Sequence, residues 1–375
     1  MQLAHITNAN TRAAFVSTNS ISQGEQAAAA WKPLFEMFGI HIDFAYRTFK
    51  WSNEAKGKAA VHCVIIGFSK MRDRERVIYD GEERVTAKNI SPYLVESRKT
   101  PLCDVPEMKK GNIPVDGGNL IIESDEVEQF LKNEPQAAKY VRKLLGADEY
   151  INKMNRYCLW LVEANPAELR KMPLVMERIE KCRAFRKASP KAATRKFADY
   201  SSLFMEIRQP ESTYILIPRH SSEKRKYIPF SFMDSDVITT DANSTIANAS
   251  LYHFGVLISI VHMAWTRAVC GRIKSDYRYS KDIVYNNFPW PDTTDKQKTE
   301  IEKLAQSVLD ARAKYPDSSL ADLYDPLTMP PELLKAHQRL DSVVMKLYGF
   351  EKIAAEAGIV AELMEKYKAL TVSPL

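Results

Sequence analysis

Pro289-Trp290-Pro291 constrains this chain's architecture more than any other three residues. Proline has no N–H to donate and pushes its predecessor out of the helical region, so regular structure has to stop there. Beyond it the pattern is helical. Ile301, Leu304, Val308 and Leu309 form one apolar stripe, and Pro330-Pro331 opens a second helix with Leu333, Leu334, His337, Leu340, Val344 and Leu347 inward, ended at Gly349. Lys352–Leu370 makes a third, and amphipathic helices with short connections pack as a bundle. Charge divides at the same place. Residues 292–375 hold 14 acids and 11 bases, which leaves +9 on residues 1–291 of a chain whose net charge is +6. A basic body with a mildly acidic tail suits a polyanionic partner.

The stretch that ends in those prolines is WTRAVCGRIKSDYRYSKDIVYNNFPWP, Trp265 to Pro291. Between Trp265 and Lys281 it sets Arg267, Arg272, Lys274, Arg278 and Lys281 against the single acid Asp276, and the whole stretch interleaves Tyr277, Tyr279 and Tyr285 and adds Ser280, Asn286 and Asn287. Cations reach phosphates, arginine forks and asparagine amides read base edges, and tyrosines stack or bond to the backbone. A merely solvated basic loop has the same composition. Two further segments favour nucleic acid. KCRAFRKASPKAATRKF (Lys181–Phe197) carries seven bases and no acid, with Lys181, Arg183, Arg186 and Lys187 on a helix that ends at Ser189-Pro190. These four are assigned to phosphates. Between strands Ser212–Ile217 and a following one, RHSSEKRK places Arg219, Ser221, Ser222, Lys224, Arg225 and Lys226 in a turn able to grip a backbone or enter a groove. ANSTIANASLYHFGVLISIVHMAWTRAV reads as one long helix or two, with Ile246, Ala249, Leu251, Phe254, Leu257, Ile258 and Val261 spaced for burial, delivering Arg267 and Arg272 at its end. Arg272, Arg278, Asn286 and Asn287 are expected at base edges.

Upstream the pattern is α/β. Ala13–Thr18 reads as a strand, a helix runs from near Glu25 to Phe38, and strands follow at Ile40–Tyr46 and Ala59–Ser69. Continuous apolar runs point to a parallel sheet buried on both faces, although one strand–helix unit and a further strand are too little to make it alone. Met71–Lys88 turns at Asp80-Gly81 as an exposed hairpin, and the prolines and glycines of 89–120 mark a surface linker. A helix capped by Ser124 and another over Gln136–Leu145, closed by Gly146, precede the strand-like YCLWLV.

AAFVSTNSISQGEQ, the FKWxNEAK loop, VHCVIIGFS, GNIPVDGG, RYCLWL, SSEKRKYIP, RYSKDIVYNNFPWP and LYDPLTMPPELLKAH together resemble the MmeI-like, Type IIL restriction-modification enzymes, in family order and over essentially the whole chain. The resemblance implies an α/β fragment of a Rossmann-like adenine-N6 DNA methyltransferase sheet over 1–100, an α+β target-recognition domain over 101–291, and a small α-helical bundle over 292–375. It also implies that Phe49 or Trp51, in the loop Arg47–Asn53, stacks on a base extruded for methylation; the alternative is a pair of aromatics that seals the sheet's end. The family's Gly-rich cofactor turn and its Asn/Asp-Pro-Pro-aromatic tetrapeptide do not occur in the sequence, and in family order both lie upstream of Ala13. The expectation is therefore the C-terminal part of a larger enzyme, with no catalytic residue of its own and no cofactor bound by this chain alone. S-adenosylmethionine serves the parent enzyme. Double-stranded DNA is the expected partner, with a separate polypeptide supplying the remaining methyltransferase half as one arrangement and a stand-alone or regulatory DNA-binding protein as the other. RNA is disfavoured because no RNP-like aromatic motif occurs.

Five scattered cysteines without CxxC or a Cys/His cluster argue for a reducing compartment and against zinc. His253 and His262 have no partner ligands in sequence, and no apolar run reaches membrane-spanning length. A cytoplasmic location is expected.

Overall fold

The computed structural model describes residues 11–22, 24–51, 61–72, 75–80, 83–96, 98–273, 276–350 and 355–371. Its first part is a five-stranded sheet of β1 (Arg12–Thr18), β2 (His41–Trp51), β3 (Val61–Ser69), β4 (Arg76–Asp80) and β5 (Glu83–Ala87), ordered β1-β3-β2-β4-β5. The helix Gly24–Phe38 joins β1 to β2 and packs Trp31 against Phe68, ring centroids 5.9 Å apart. β1 and β2 run the same way, yet the sheet is not the expected parallel one. β3 lies between them and opposes both, and the β2–β4 step alone is parallel. The apolar run of β3 records burial on both faces, which any central strand has, whatever its direction. Gly67 lets that strand pass beneath Phe44, where a Cβ would fall 2.0 Å from the ring. Arg47–Trp51 is not a loop either. It extends β2 beyond a register shift between Tyr46 and Phe49.

Residues 108–290 build three further sheets, two of them four-stranded. In one, β7 (Ile121–Glu123), β9 (Arg156–Leu159), β8 (Val141–Leu145) and β13 (Ile238–Thr239) are covered by the helix Pro173–Lys187, whose Val175, Ile179 and Cys182 meet Leu120, Ile122, Leu144 and Cys158. The helix expected over Gln136–Leu145 is instead a 3-10 turn, Pro135–Tyr140, followed by β8. Leu144 and Leu145 belong to two separate apolar clusters, so pairing with β9 and β13 overrides helix propensity. Gly146 begins the helix Ala147–Ile151 rather than ending one, and the Val127–Asn133 helix starts after Glu126, without a cap from Ser124.

In the other sheet β12 (Ser231–Met233), β10 (Tyr214–Pro218), β14 (Asn243–Ala247) and β6 (Met108–Lys110) lie in that order. β14 takes residues expected at the start of a long helix. Thr245 and Ile246 are β-branched and pair with β10 and β6, and helix begins only at Leu251, where the Ser250 hydroxyl caps. β6 lies within the expected linker, which is thus partly woven into a sheet. The helices Leu251–Leu257 and Ile260–Val269 then join Asp295–Ala313, Pro331–Leu347 and Glu356–Thr371 around one continuous apolar core. Gly255 permits the close approach, since a Cβ there would sit 2.7 Å from Ile301 and 3.1 Å from Ala305.

Candidate nucleic-acid interface

The basic loop 219–226 and the stretch 271–278 meet in a small three-stranded sheet of β11 (His220–Ser221), β16 (Asp276–Arg278) and β15 (Gly271–Ile273). His220 pairs with Arg278 and Arg278 with Gly271, while Ser221 pairs with Tyr277 and Tyr277 with Arg272. The Tyr279 N–H donates to the Arg219 carbonyl at 2.8 Å and the Glu223 N–H to Asp276 Oδ1 at 3.1 Å. Two segments some fifty residues apart are thereby held side by side. Strand alternation sorts their side chains: Asp276 and Arg278 are exposed and Tyr277 is buried. His220, Lys224, Lys226 and Arg278 are all exposed, and none makes an ion pair among the described residues. Partial desolvation of the ring, then the charges of Arg219 and Arg278, lower the pKa of His220. Uncompensated cations on a rigid edge concentrate positive potential.

The remaining members of these loops are structural in part. Arg219 donates through Nη1 to the Asp241 carbonyl at 2.7 Å, and Arg225 reaches the buried Ser221 hydroxyl at 3.3 Å. Ser221 is thus no exposed donor, whereas half-buried Ser222 caps the loop by accepting the Lys224 N–H at 3.3 Å. Lys274 and the side chain of Arg272 lie outside the described residues.

Several residues expected at bases or phosphates are core instead. Asn286 and Asn287 are 1% and 0% exposed, and their amides donate to the carbonyls of Arg98 and Glu96, each at 2.7 Å, tying the segment that follows the first sheet to the turn Lys281–Tyr285. Tyr279 is buried with its hydroxyl 2.8 Å from His262 Nε2. Arg267 pairs with Glu356 at 2.7 Å, and Lys281 donates to the Lys99 carbonyl and pairs with Asp282. Ser280 is half-buried and begins that turn. The tyrosines, Phe288 and Trp290 draw this part of the chain into the main core, and Asn286, Asn287 and Lys281 satisfy backbone carbonyls there, while Arg267 and Tyr279 meet side chains.

Arg186 is the clearest correction. It is fully buried and donates to five carbonyls, those of Val115, Pro114, Phe197, Tyr200 and Leu203, at 2.7–3.4 Å. No N–H remains for a phosphate. Lys181 and Arg183 face solvent but pair with Glu177 and Glu180, at 2.7 and 2.8 Å; these acids lie on the part of the helix just before the acid-free segment. Such exposed pairs are weak and yield to a phosphate. Lys187, Lys191 and Lys196 are exposed beyond them. Phe49 is half-buried within β2, opposite Cys63, and the side chain of Trp51 is outside the described residues.

His220 was absent from the sequence-derived set. Its position is set by pairing with Arg278, a contact invisible in a linear pattern. Among the described residues, no group of three His, Cys, Asp or Glu is placed to hold a metal ion, and no helix is long and apolar enough to cross a membrane.

A mixed sheet with a helix on one face, an α+β unit with a cationic edge, and helices that share its core make up a methyltransferase, target-recognition and C-terminal arrangement. Family models match in that order: the MmeI DNA-methyltransferase domain over residues 1–80, the MmeI target recognition domain over 89–292 and the MmeI C-terminal domain over 293–373. The chain belongs to the MmeI family. It is 39% identical over 370 residues to DNA methyltransferase A of Bacillus subtilis (strain 168), a match that takes in 96% of this chain and 42% of that protein. The solved structure of the Type IIL restriction-modification enzyme MmeI in complex with DNA is 47% identical, with a TM-score of 0.74 over 99% of this chain and 51% of that one. The chain therefore spans about half the length of these relatives.

The family implies S-adenosylmethionine in the parent enzyme, and the described part of the first sheet does not fit it. Tyr46 and Tyr79 stack on each other at 4.3 Å in the cleft beside Asp43 and Glu75, leaving no slot for an adenine between them. A second cleft, along Phe15, Ile21, Trp31, Leu34 and Phe68, is apolar and carries no charged side chain.

Proposed function

We propose that this chain recognises a specific duplex DNA sequence as the C-terminal part of an S-adenosylmethionine-dependent adenine-N6 DNA methyltransferase of a restriction-modification system. The observation that carries the reading is the small sheet that pairs loop 219–226 with hairpin 271–278 and leaves Lys224, Lys226 and Arg278 exposed beside His220. Arg278, fixed by pairing on both sides, is assigned to a base edge, together with Arg272 and Lys274 of the same hairpin. Lys181, Arg183, Lys187 and Lys224 are assigned to phosphates, where they position without specifying. Phe49 and Trp51 are the candidates for stacking on an extruded base. In this reading residues 1–100 are the end of a Rossmann-like methyltransferase sheet, 101–291 the recognition domain and 292–375 the helical part, in a cytoplasmic protein.

Methyl transfer itself draws on residues other than those described. β1 supports a partner for that step: among the described residues it is the edge of its sheet, with Phe15 and Val16 50% and 55% exposed, as in a strand open to a neighbour. The remaining methyltransferase half, on the same or a separate polypeptide, is proposed to pair there and bring S-adenosylmethionine.

Two assays test the proposal. The chain should bind mixed-sequence duplex with a steep salt dependence, each neutralised phosphate contributing about −0.9 to the slope of log K against log salt. It should transfer no tritiated methyl group by itself. A flat salt response refutes the electrostatic footprint, and methylation by the pure chain refutes the division of labour.

A further inference from the structure

Asp341 lies on the Pro331–Leu347 helix and is 5% exposed. Its two oxygens serve two different segments. Oδ2 accepts the Tyr227 hydroxyl at 2.7 Å and Oδ1 accepts the Ile260 N–H at 2.7 Å. Tyr227 is the first residue after Lys224-Arg225-Lys226, so it closes the first basic loop. Ile260 is the first residue of the helix Ile260–Val269, which runs through Cys270 into the Gly271–Arg278 hairpin. One carboxylate in the C-terminal helices thus ties the end of the first basic loop to the start of the helix that leads into the second.

The surroundings make that link stiff. His337, one turn earlier on the same helix, stacks on the Tyr227 ring at 4.0 Å and 16°, and its Nε2 lies 2.8 Å from the Tyr324 hydroxyl. At the other end of the Ile260–Val269 helix, Arg267 pairs with Glu356. A carboxylate at a helix N-terminus is held by charge-assisted bonds and by the helix dipole, and removing it leaves two buried donors without an acceptor.

We propose that Asp341 is a positioning residue for recognition: it anchors the small sheet that joins the two basic loops to the C-terminal helices, through Tyr227 on one side and the Ile260–Val269 helix on the other, so that these helices set how sharply the chain discriminates DNA sequences. This rests on the reading of the cationic sheet as the recognition surface. The carboxylate makes no claim on DNA itself. It acts through Tyr227, which closes the first loop, and Ile260, which begins the helix leading to the second.

The test uses the full chain. A randomised-duplex selection with the wild type first defines a preferred duplex, and affinities for it and for a scrambled duplex are then measured with Asp341→Ala, Tyr227→Phe and Asp341→Asn. In Asp341→Ala and Tyr227→Phe the ratio of the two affinities should fall about fivefold or more, the low end of coupling between linked sites. Scrambled-duplex affinity and the salt slope should stay as in the wild type. Asp341→Asn should keep the ratio, because its amide accepts from Ile260 and donates to the Tyr227 oxygen. Tyr227→Phe removes one hydroxyl and carries the test if Asp341→Ala does not fold. A wild-type ratio in Tyr227→Phe, or equal losses on both duplexes, overturns the proposal. A wild type without any preferred duplex overturns the recognition reading, and the inference falls with it.

Discussion

Arg186→Ala separates a phosphate contact from a structural one more sharply than any other single change. In the fold this guanidinium is fully buried and spends all its donors on five carbonyls contributed by the 114–115 segment and the 197–203 turn. It also lies over the Phe197 ring, 5.2 Å from the centroid. A hydrogen bond to a charged donor is worth roughly 1.5–3 kcal/mol net, and five bonds to one group do not add. Leaving several buried carbonyls unpaired and a cavity the size of the side chain puts the loss at about 4–5 kcal/mol, at the upper end of single substitutions. With a urea m-value of about 2 kcal/mol/M, the midpoint of the transition reporting on this part should fall by about 2 M. Trp160, which packs edge-on against Phe204 nearby, provides a fluorescence report. Lys187→Ala, next in sequence and exposed, should move the midpoint by less than about 0.5 kcal/mol equivalent. The refuting result is an unchanged urea midpoint in Arg186→Ala with a salt slope one unit shallower, which would return Arg186 to the DNA backbone.

Burial raises the Asp341 carboxyl to about 6 in spite of its two donors and the nearby Lys226, against 3.8 unperturbed. A raised value favours the protonated fold, so this contribution is present below pH 3.8 and is lost as pH rises through about 6; the gap corresponds to roughly 3 kcal/mol at most. Urea titrations at pH 5 and 7.5 should therefore show a smaller loss of stability with rising pH in Asp341→Asn than in the wild type, and parallel curves would contradict the burial argument. Gly67→Ala should destabilise the first sheet by at least about 1–3 kcal/mol, because the new methyl group meets the Phe44 ring. A neutral outcome in thermal unfolding would mean that Phe44 moves aside without loss.

The sequence made the helices after Pro291 legible, because an apolar stripe at helical spacing has one solution. It made β1, the following helix, β2 and β3 legible as elements but not as a sheet, since apolar runs record burial and not direction. Gly146 misled because glycine starts some helices and ends others. Of the three basic segments that stand out in the sequence, two meet in one small sheet. Which of their residues face outward was not legible. Asn286, Asn287, Tyr279 and Arg186 have the side chains of a recognition loop and the burial of a core, and only long-range pairing distinguishes the two. Arg278 and Asp276 became assignable to the exposed face once strand register fixed Tyr277 inward.

The most direct test of sequence recognition by the paired basic loops is a randomised-duplex selection with the wild type, Lys187→Ala and Arg278→Ala, each at two salt concentrations. Losing a phosphate contact weakens every sequence alike and lowers the salt slope by about one, whereas losing a base contact costs roughly 1–3 kcal/mol at one position of the preferred site. Lys187→Ala should select the wild-type sequence with lower affinity, and Arg278→Ala should blur one position of it. Uniform weakening in Arg278→Ala together with altered preferred bases in Lys187→Ala would contradict the account.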